Sequence, residues 1–445
     1  MRGLVRAGAV LSLFAAQAAL AEPVLMISID GLRPGDVIEA EQRGLKIPNL
    51  RRFLTEGSYA TQVRGVLPTI TYPSHTTLIT GVSPARHGVV GNTTFDPLQI
   101  NQAGWFWYAG DIKVPTLWQA ASAGGKSVGN VHWPVSVGAK GITWNLPQIW
   151  RTGHDDDRKL MAALASPGLL GELEKRAGKA YAQGINEEID GDENRADFAA
   201  SLIAAKKPQF LTVYFAALDD MEHRAGPDTA EARAVLERID AALGKVIAAE
   251  RAAHGNAAIF LVSDHGFEAI TRETNLFRAF IDAGLIRLDG KGKIREWDAM
   301  PWPSGGSAAV VLARPDDAAL ADRVRGLLTQ LKADPATGIA AIAEKAEIAA
   351  MGGNPAASFY LGFMPDTEAG KWAGPTAPLT GPSHNKGTHG YFPAALHLRS
   401  TFMAMGPGIP KGKALGEVDM RAIAPTVAKV LGVKFTTAEV APISF

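Results

Sequence analysis

The sequence has no cysteine and no excess of charge of either sign. Without cysteine among its 445 residues the chain forms no disulfides, so its fold must rely on a conventional apolar core. Lysine and arginine together number 45, as do aspartate and glutamate, and this balance gives no support for a nucleic-acid-binding surface. The composition, 47% hydrophobic and 20% charged, is otherwise that of an ordinary globular protein.

Long apolar runs are also missing beyond the first 21 residues. Arg2 and Arg6 precede an apolar stretch too short to span a membrane, and an A-x-A sequence ends at Ala21, before Glu22. This pattern predicts a secretory signal peptide over residues 1–21 and therefore a periplasmic or secreted protein. No later segment offers about 20 uncharged apolar residues, so we expect no membrane span after the signal is removed.

Apolar runs and helical repeats alternate along the rest of the chain. The short apolar runs are typical of strands buried on both faces of a parallel α/β sheet, and they cover Val24–Ile29, Phe210–Phe215, Ala258–Val262, 308–312 and 358–363. Apolar residues at helical spacing predict helices over 230–250, 316–331 and 420–431. We expect one α/β domain over residues 22–445. Two stretches, about 138–187 and about 271–350, are interpreted as insertions rather than sheet units.

Acidic residues and histidines follow three of the predicted strands. Strands of an open α/β sheet form a ligand crevice at their carboxyl ends, so such side chains should converge at one edge. The residues are Asp30 after VLMISI, Asp219 and His223 after FLTVYFAAL, and Asp264 and His265 after AIFLVS. With His389 in GTHGY and the hydroxyl of Thr71, they form a set of seven ligands suited to two zinc ions.

Each motif also has a plain structural interpretation. An isolated pair such as Asp219 and His223 is more often a helix cap next to a solvated histidine, and SDHG after a strand is compatible with a simple turn. The occurrence of all the motifs in one chain favours the metal site. The remaining histidines are interpreted as structural or surface residues, with His384 the foremost candidate for an exception.

The segment LPTITYPSHTTLITG contains a candidate nucleophile. Pro73 suits the first turn of a helix and Gly81 suits its end, which places Thr71 just before the helix N-terminus. A helix N-terminus favours an anion, and a metal-bound hydroxyl at this position would be a deprotonated nucleophile. The alternative is that Thr71 only caps the helix.

The order of these motifs makes a family resemblance specific. Asp30, TYPSHTTLITG, P-x-x-HG, GN, D-x-x-x-H-x-x-GP, SDHGF and GTHGY follow one another as in the nucleotide pyrophosphatase/phosphodiesterase family of the alkaline phosphatase superfamily, which the chain resembles. The resemblance implies an alkaline-phosphatase-like α/β/α sandwich with a largely parallel central sheet and a cap formed by the insertions. Departures at Glu222, at Ser74 and in HGYFP concern residues outside the ligand set, so they bear on substrate choice rather than catalysis.

The resemblance also implies a role for each site residue. Thr71 would be the nucleophile of a covalent phospho-threonine intermediate, and Asn92 would donate to a phosphate oxygen. One zinc ion would be held by Asp219, His223 and His389, and the other by Asp30, Asp264, His265 and Thr71. Tyr72 and Tyr214 would lie on the substrate side.

The implied reaction is hydrolysis of a small-molecule, nucleotide-like phosphodiester or phosphoanhydride. A phosphomonoesterase or a phosphoryl or phosphoethanolamine-type transferase of the same superfamily, and a non-catalytic binding protein, are the alternatives. Threonine-dependent monoesterases of the superfamily carry a lysine and an arginine on a strand where this chain has His132 and Trp133, so we expect a preference for diesters. Trp133 or Trp144 could then contact a base, and Lys386 could still reach the phosphate.

Overall fold

The computed structural model describes residues 22–101, 104–149, 155–181 and 185–445. The predicted signal peptide, residues 1–21, lies outside the described residues.

Within the described residues the strands are short and numerous. In chain order they are β1 (Val24–Ile29), β2 (Gly57–Tyr59), β3 (Gln62–Arg64), β4 (Val128–Val131), β5 (Trp144–Leu146), β6 (Phe210–Phe215), β7 (Ala258–Val262), β8 (Glu268–Thr274), β9 (Ile286–Leu288), β10 (Ile294–Trp297), β11 (Ala299–Pro303), β12 (Ser307–Leu312), β13 (Ile339–Glu344), β14 (Phe359–Phe363), β15 (Asp366–Ala369), β16 (Thr380–Pro382), β17 (Gly387–Thr388), β18 (Phe402–Met405), β19 (Lys413–Ala414) and β20 (Glu417–Asp419).

The helices of the described residues alternate with these strands. They are α1 (Pro34–Ile38), α2 (Pro48–Glu56), α3 (Thr71–Thr80), α4 (Pro84–His87), α5 (Leu117–Ala123), α6 (Asp155–Leu164), α7 (Leu169–Ala177), α8 (Ile189–Lys206), α9 (Ala217–Ala225), α10 (Ala230–Ala253), α11 (Leu276–Asp282), α12 (Ala318–Ala333), α13 (Lys345–Ala350) and α14 (Ile423–Leu431). The three predicted helices correspond to α10, α12 and α14, the last preceded by a short 3-10 turn over Met420–Ala422.

The central sheet has eight strands in the order β19-β2-β18-β7-β1-β6-β4-β5. Five consecutive strands, from β7 to β5, run parallel, while β18 runs antiparallel to both β7 and β2. Every residue of β1, β6 and β7 is buried, as expected for strands covered on both faces. The prediction of an α/β fold with a largely parallel central sheet is therefore confirmed.

Apolar cores lie on both faces of this sheet because successive side chains of a strand point in opposite directions. On one face Leu25, Ile27 and Ile29 belong to a core with residues of α2, α8 and α10. On the other face Val24 and Met26 belong to a core with residues of α3, α5 and α14. The chain is thus layered as helices, sheet and helices.

A second, antiparallel sheet has the order β11-β12-β14-β13 and a core of its own. It contains the apolar runs 308–312 and 358–363, so the prediction that these runs are parallel strands of the main sheet is wrong. Both strands, β12 and β14, are buried throughout. An apolar run indicates such burial but does not specify the direction of the strand. This sheet extends past the predicted insertion boundary at 350, to Phe363.

The stretch 138–187 is interpreted from its sequence as an insertion outside the sheet, but part of it belongs to the central sheet. It contains β5, which pairs in parallel with β4 at the edge of the central sheet. Leu169, Leu170 and Leu173 of α7 belong to the same core as Leu25, Ile27 and Ile29, on one face of the central sheet. With only three residues, β5 is too short to produce the periodic pattern that marks a strand in a sequence.

Candidate metal centre

Three neighbouring strands deliver the predicted acidic residues to one edge of the sheet. β1 lies between β6 and β7 and is parallel to both, so the carboxyl ends of all three strands lie together. Asp30 follows β1 directly, Asp264 and His265 lie two and three residues beyond β7, and α9 begins two residues after β6. The backbone N–H of Gly31 donates to Asp264 Oδ1 at 3.3 Å, which ties the ends of β1 and β7 together.

The first cluster consists of Asp30, Asp264 and His265, all fully or almost fully buried. The Nε2 atom of His265 lies 3.3 Å from Asp30 Oδ1 and 3.0 Å from Asp264 Oδ2. One ligand atom from each residue lies within 4.8 Å of the other two, so a single ion could bind all three. The structure therefore brings together three of the four residues predicted for one zinc ion.

The second cluster consists of Asp219, His223 and His389. Asp219 and His223 lie four residues apart on α9, so both point from one face of the helix. The Nε2 atoms of His223 and His389 lie 3.6 Å from Asp219 Oδ2 and 3.4 Å from Asp219 Oδ1, respectively. These are the three residues predicted for the other zinc ion.

His389 reaches this edge through β17, which pairs antiparallel with β8 just beyond His265. The strand approaches α9 so closely that a Cβ atom on Gly387 would lie 2.6 Å from the backbone oxygen of Glu222. Only glycine allows this approach, and it places the Gly387 carbonyl 2.9 Å from His223 Nδ1. The absence of a side chain at Gly387 thus allows the strand that precedes His389 to pack directly against the helix that carries His223.

Contacts of the three imidazoles to backbone carbonyls leave Nε2 facing the clusters. The Nδ1 atoms of His265, His223 and His389 contact the carbonyls of Gly266, Gly387 and Thr69, at 3.2, 2.9 and 3.4 Å. A hydrogen bond at one ring nitrogen fixes the tautomer and orientation of a metal-binding imidazole. This arrangement suits ligands presented through Nε2.

Several buried polar atoms in the clusters make no hydrogen bond of suitable geometry in the described structure, even where His265 Nε2 lies close to a carboxylate oxygen. They are Asp30 Oδ1, Asp219 Oδ1, Asp264 Oδ2 and His265 Nε2. Leaving such atoms unpaired in the interior is costly, so a buried group of carboxylates and an imidazole calls for a cation. The residues of the two clusters therefore fit metal ions in three respects: the chemistry of their donor atoms, the spacing of those atoms, and the lack of hydrogen bonds to several of them.

The pKa values of the acidic residues in the two clusters also indicate a need for cations. Burial, followed by the neighbouring charge of Asp264, raises the pKa of Asp30 and of Asp219 well above the usual range. Burial would also raise the pKa of Asp264, but the adjacent His265 and His75 lower it instead. The crowded carboxylates thus lack enough positive charge, which divalent cations would supply.

Burial favours neutral imidazoles in the second cluster. It lowers the pKa of His223 to about 4, and it lowers that of His389 well below the usual value, assisted by the charges of His265 and His223. Neutral imidazole is the form that binds metal ions. The exposed Lys371 contributes to both shifts and was missed by sequence reasoning, because it belongs to none of the motifs.

Thr71 is the first residue of α3, and the residue is 7% exposed. The capping position is Ile70, so the alternative that Thr71 caps the helix is wrong. Gly81 ends the helix, as predicted, and it does so in a left-handed conformation. Thr69, two residues before Thr71, contacts His389 through its carbonyl. The start of α3 therefore lies against the metal-ligand clusters.

Asn92 is bound to the first turn of α3. Its Oδ1 atom accepts a hydrogen bond from the Tyr72 backbone N–H at 2.9 Å, and its own carbonyl accepts one from the Phe106 N–H at 3.1 Å. With Oδ1 engaged in this way, the side-chain amide group of Asn92 is the part that can donate to a ligand beside Thr71.

His75 is a buried residue of the site that sequence reasoning classed as structural. Its Nδ1 atom contacts the Thr71 carbonyl at 2.8 Å and lies 3.5 Å from Asp264 Oδ2, while Nε2 contacts Ser28 Oγ of β1 at 2.8 Å. His75 thus joins the nucleophile helix, the central sheet and the first cluster. Its position one helical turn after Thr71 is the sequence signal that could have identified it.

The two predicted substrate tyrosines are both buried. The hydroxyl of Tyr214 donates to Asp30 Oδ2, and its ring lies edge-on to His75 with centroids 4.9 Å apart. Tyr72 packs with Val89 and Val135, and its ring centroid lies 5.3 Å from that of Trp105. Substrate contact by either tyrosine remains a prediction, since in this conformation both side chains lie within the protein.

The other candidates occupy varied positions. Trp133 is fully buried and lies edge-on to His75, whereas Trp144 is half-buried in β5. His384 and Lys386 are exposed, and the backbone N–H of Lys386 donates to the His223 carbonyl at 2.8 Å.

Among the described residues, no helix is both long and apolar enough to cross a membrane.

Comparison with known families gives a match over most of the chain. The family described as type I phosphodiesterase / nucleotide pyrophosphatase matches residues 24–349. Ectonucleotide pyrophosphatase/phosphodiesterase family member 3 of Rattus norvegicus is 24% identical over 256 residues, covering 55% of this chain and 25% of that protein. Venom phosphodiesterase 2 of Crotalus adamanteus is 27% identical over 261 residues, covering 56% and 27%. The chain thus spans about a quarter of the length of these curated relatives.

Solved structures of one protein share the fold. Human ectonucleotide pyrophosphatase / phosphodiesterase 5 superposes with a TM-score of 0.66 at 20% identity, covering 95% of this chain and 97% of that one. An inactive threonine-to-alanine variant of the murine protein, in complex with AMP, gives a TM-score of 0.66 at 19% identity, covering 94% and 97%. The chain therefore shares the alkaline-phosphatase-like α/β fold of these structures, with its large, mostly parallel central sheet.

Proposed function

Because the chain belongs to the type I phosphodiesterase / nucleotide pyrophosphatase family, we propose that it is a two-zinc hydrolase of phosphodiester or phosphoanhydride bonds. The observation that carries this proposal is the pair of adjacent three-residue clusters at the carboxyl ends of β1, β6 and β7. Their buried, unpartnered carboxylate and imidazole atoms account for the need for cations, and α3 begins beside them with Thr71.

The two ions would divide the ligands as the clusters do. One ion would be held by Asp219, His223 and His389, and the other by Asp30, Asp264 and His265. The hydroxyl of Thr71, at the start of α3, would complete the second set. When bound, two such ions clamp the attacking and leaving oxygens of an in-line displacement and offset the charge that develops on them. Three histidines favour zinc over magnesium, which is a hard cation that prefers oxygen ligands.

The residues of the chain then have distinct roles in a two-step reaction. Thr71 Oγ1 attacks phosphorus, so that an oxygen–phosphorus bond forms to Thr71 as the bond to the leaving group breaks. The side-chain amide of Asn92 donates to a non-bridging oxygen, where negative charge accumulates. Water then cleaves the phospho-threonine from the opposite side and restores the Thr71 hydroxyl, and overall one P–O bond is hydrolysed.

Two features support Thr71 as the nucleophile. The residue before α3, Ile70, offers no capping side chain, and the positive end of the helix dipole, where Asn92 Oδ1 accepts from the Tyr72 N–H, lies beside Thr71 and favours a bound phosphate. The murine relative that binds AMP is inactive with a threonine replaced by alanine. The substrate we propose is a nucleotide-like phosphodiester in the periplasm or outside the cell, the location being based on the sequence pattern of residues 1–21.

Turnover of a nitrophenyl phosphodiester by purified protein tests the proposal. We expect activity that a chelator abolishes and that zinc restores, with Thr71→Ala inactive under both conditions. Undiminished hydrolysis by metal-free protein would exclude the two-ion assignment. Activity of the alanine variant would exclude the covalent route and leave direct attack by water.

A further inference from the structure

The helix that carries two of the metal ligands lacks a cap of its own. α9 follows Ala216, whose methyl side chain cannot accept a hydrogen bond, and its N-terminus has no local side-chain cap. The first backbone N–H groups of a helix have no partner within the helix and need acceptors from elsewhere. This end of α9 is buried, since Ala216 and Ala217 are 3% and 2% exposed.

Asp192, on α8, supplies both acceptors. Its Oδ1 atom accepts from the Ala216 N–H at 2.9 Å, and its Oδ2 atom accepts from the Ala217 N–H at 2.8 Å. The two contacts are charge-assisted, and they hold the end of α9 at two points rather than one. A carboxylate also complements the positive end of the helix dipole.

Asp192 is itself held in place by Arg195, one turn further along α8. The Nε atom of Arg195 donates to Asp192 Oδ1 at 3.0 Å, and Nη1 donates to the Asn186 carbonyl at 2.7 Å. Both side chains of the pair are fully buried. A buried carboxylate with every contact fixed in this way has one orientation, and the position of α9 follows from it.

We propose that Asp192 is a positioning residue that fixes the place of α9 and thereby that of Asp219 and His223. Asp219 is the third residue of the helix, so a shift of the first turn moves it directly. The other cluster receives no residue from α9, because Asp30, Asp264 and His265 follow β1 and β7. This inference rests on the proposed function, since it assumes that the clusters bind metal ions.

The two clusters make a differential test possible. In one background, His223→Ala and His389→Ala leave only the Asp30 cluster. In the other, Asp264→Asn and His265→Ala leave only the Asp219 cluster. Asp192→Asn is added to each, and zinc affinity is measured by competition with a chromophoric chelator. We expect Asp192→Asn to weaken zinc binding about 10- to 100-fold at the Asp219 cluster, the range typical of outer-shell changes, and to leave the Asp30 cluster within about 2-fold.

Asp240 offers a matched control. It is a buried carboxylate on α10 that accepts from the N–H groups of Leu50 and Asn49 at 2.7 and 3.2 Å, so it caps α2 from a distant helix in the same manner. α2 carries no residue of either cluster. Asp240→Asn is therefore expected to lower the melting temperature of the metal-free protein without changing zinc affinity at either cluster.

If Asp192→Asn does not fold, Arg195→Lys is measured in its place. This variant keeps Asp192 and the positive charge but loses the contact of the planar guanidinium group with the carboxylate. A smaller loss confined to the Asp219 cluster supports the proposal. Equal losses at both clusters, or unchanged affinity at both, would overturn it while leaving the proposed function intact. A wild-type protein that binds no zinc at either cluster would instead contradict the proposed function, and the positioning role would fall with it.

Discussion

The imidazole rings of His265 and His389 stack with their centroids 3.7 Å apart and their planes 12° from parallel. They belong to different clusters, and Asp219 Oδ1 lies 3.9 Å from His265 Nε2. The two clusters are therefore in direct contact and form one continuous centre. Such proximity is what a pair of ions acting on the same phosphoryl group requires.

Removal of one ligand should empty one half of the centre and leave the other half able to bind its ion. We expect wild-type protein to bind two zinc ions per chain and His389→Ala to retain about one, with loss of hydrolysis, because each cluster offers a full set of protein ligands for one ion. Metal analysis of the purified proteins checks this. Fewer than one bound ion in active wild-type protein would refute the two-ion arrangement.

The hydroxyl of Thr71 is expected to be essential for chemistry rather than for folding. Thr71→Ala should lower kcat by several orders of magnitude, since the covalent route loses its nucleophile, whereas Thr71→Ser should retain part of the activity. Steady-state kinetics, with melting temperatures as the control for folding, measure the effect. Wild-type turnover by the alanine variant would mean that Thr71 has only a structural role.

His75 is expected to act by holding Thr71 and Asp264 in place. His75→Gln breaks contacts to the Thr71 carbonyl and Ser28 Oγ, so we expect kcat to fall by about 10²-fold, as small misplacements of reacting groups do, while bound zinc is retained. His87→Gln is the matched control, because His87 is equally buried but contacts Thr77 Oγ1 and the Val89 N–H. Equal losses of activity in the two variants would contradict the positioning role.

Glu250 is expected to make stability depend on pH. It is fully buried, neither carboxylate oxygen has a hydrogen-bond partner in the described structure, and burial raises its pKa from 4.5 to about 7. Below pH 4.5 the group is protonated whether folded or unfolded; as pH rises towards 7 the unfolded chain ionises first, so stability is lost. This shift corresponds to about 3 kcal/mol.

Glu250→Gln should remove that dependence. The variant should match wild type near pH 4 and exceed its free energy of unfolding by about 3 kcal/mol at pH 8, since an amide cannot ionise. Denaturant unfolding of the metal-free proteins at the two pH values provides the measurement. A constant difference between the proteins across this range would show that Glu250 is paired in solution.

The parts of the fold that were predictable are those with a strong local signal. β1, β6 and β7 have the predicted bounds because their runs are continuously apolar and buried on both faces, and the acidic residues after them mark the ligand edge. The antiparallel setting of β12 and β14, the short β5 and the partners of His75 depend on contacts between distant segments. No local pattern records such contacts, and Asp192 illustrates this, since it reaches α9 from 24 residues away.

The central claim is that this centre cleaves phosphodiesters, and the ratio of kcat/KM values for a nitrophenyl phosphodiester and the matching nitrophenyl phosphate tests it most directly. A monoester dianion needs further positive charge, yet the segment after β4 offers His132, which burial keeps neutral by lowering its pKa, and the buried Trp133. We therefore expect the diester to have the higher kcat/KM. A preference for the monoester of about tenfold or more, equivalent to roughly 1.4 kcal/mol, would contradict the account.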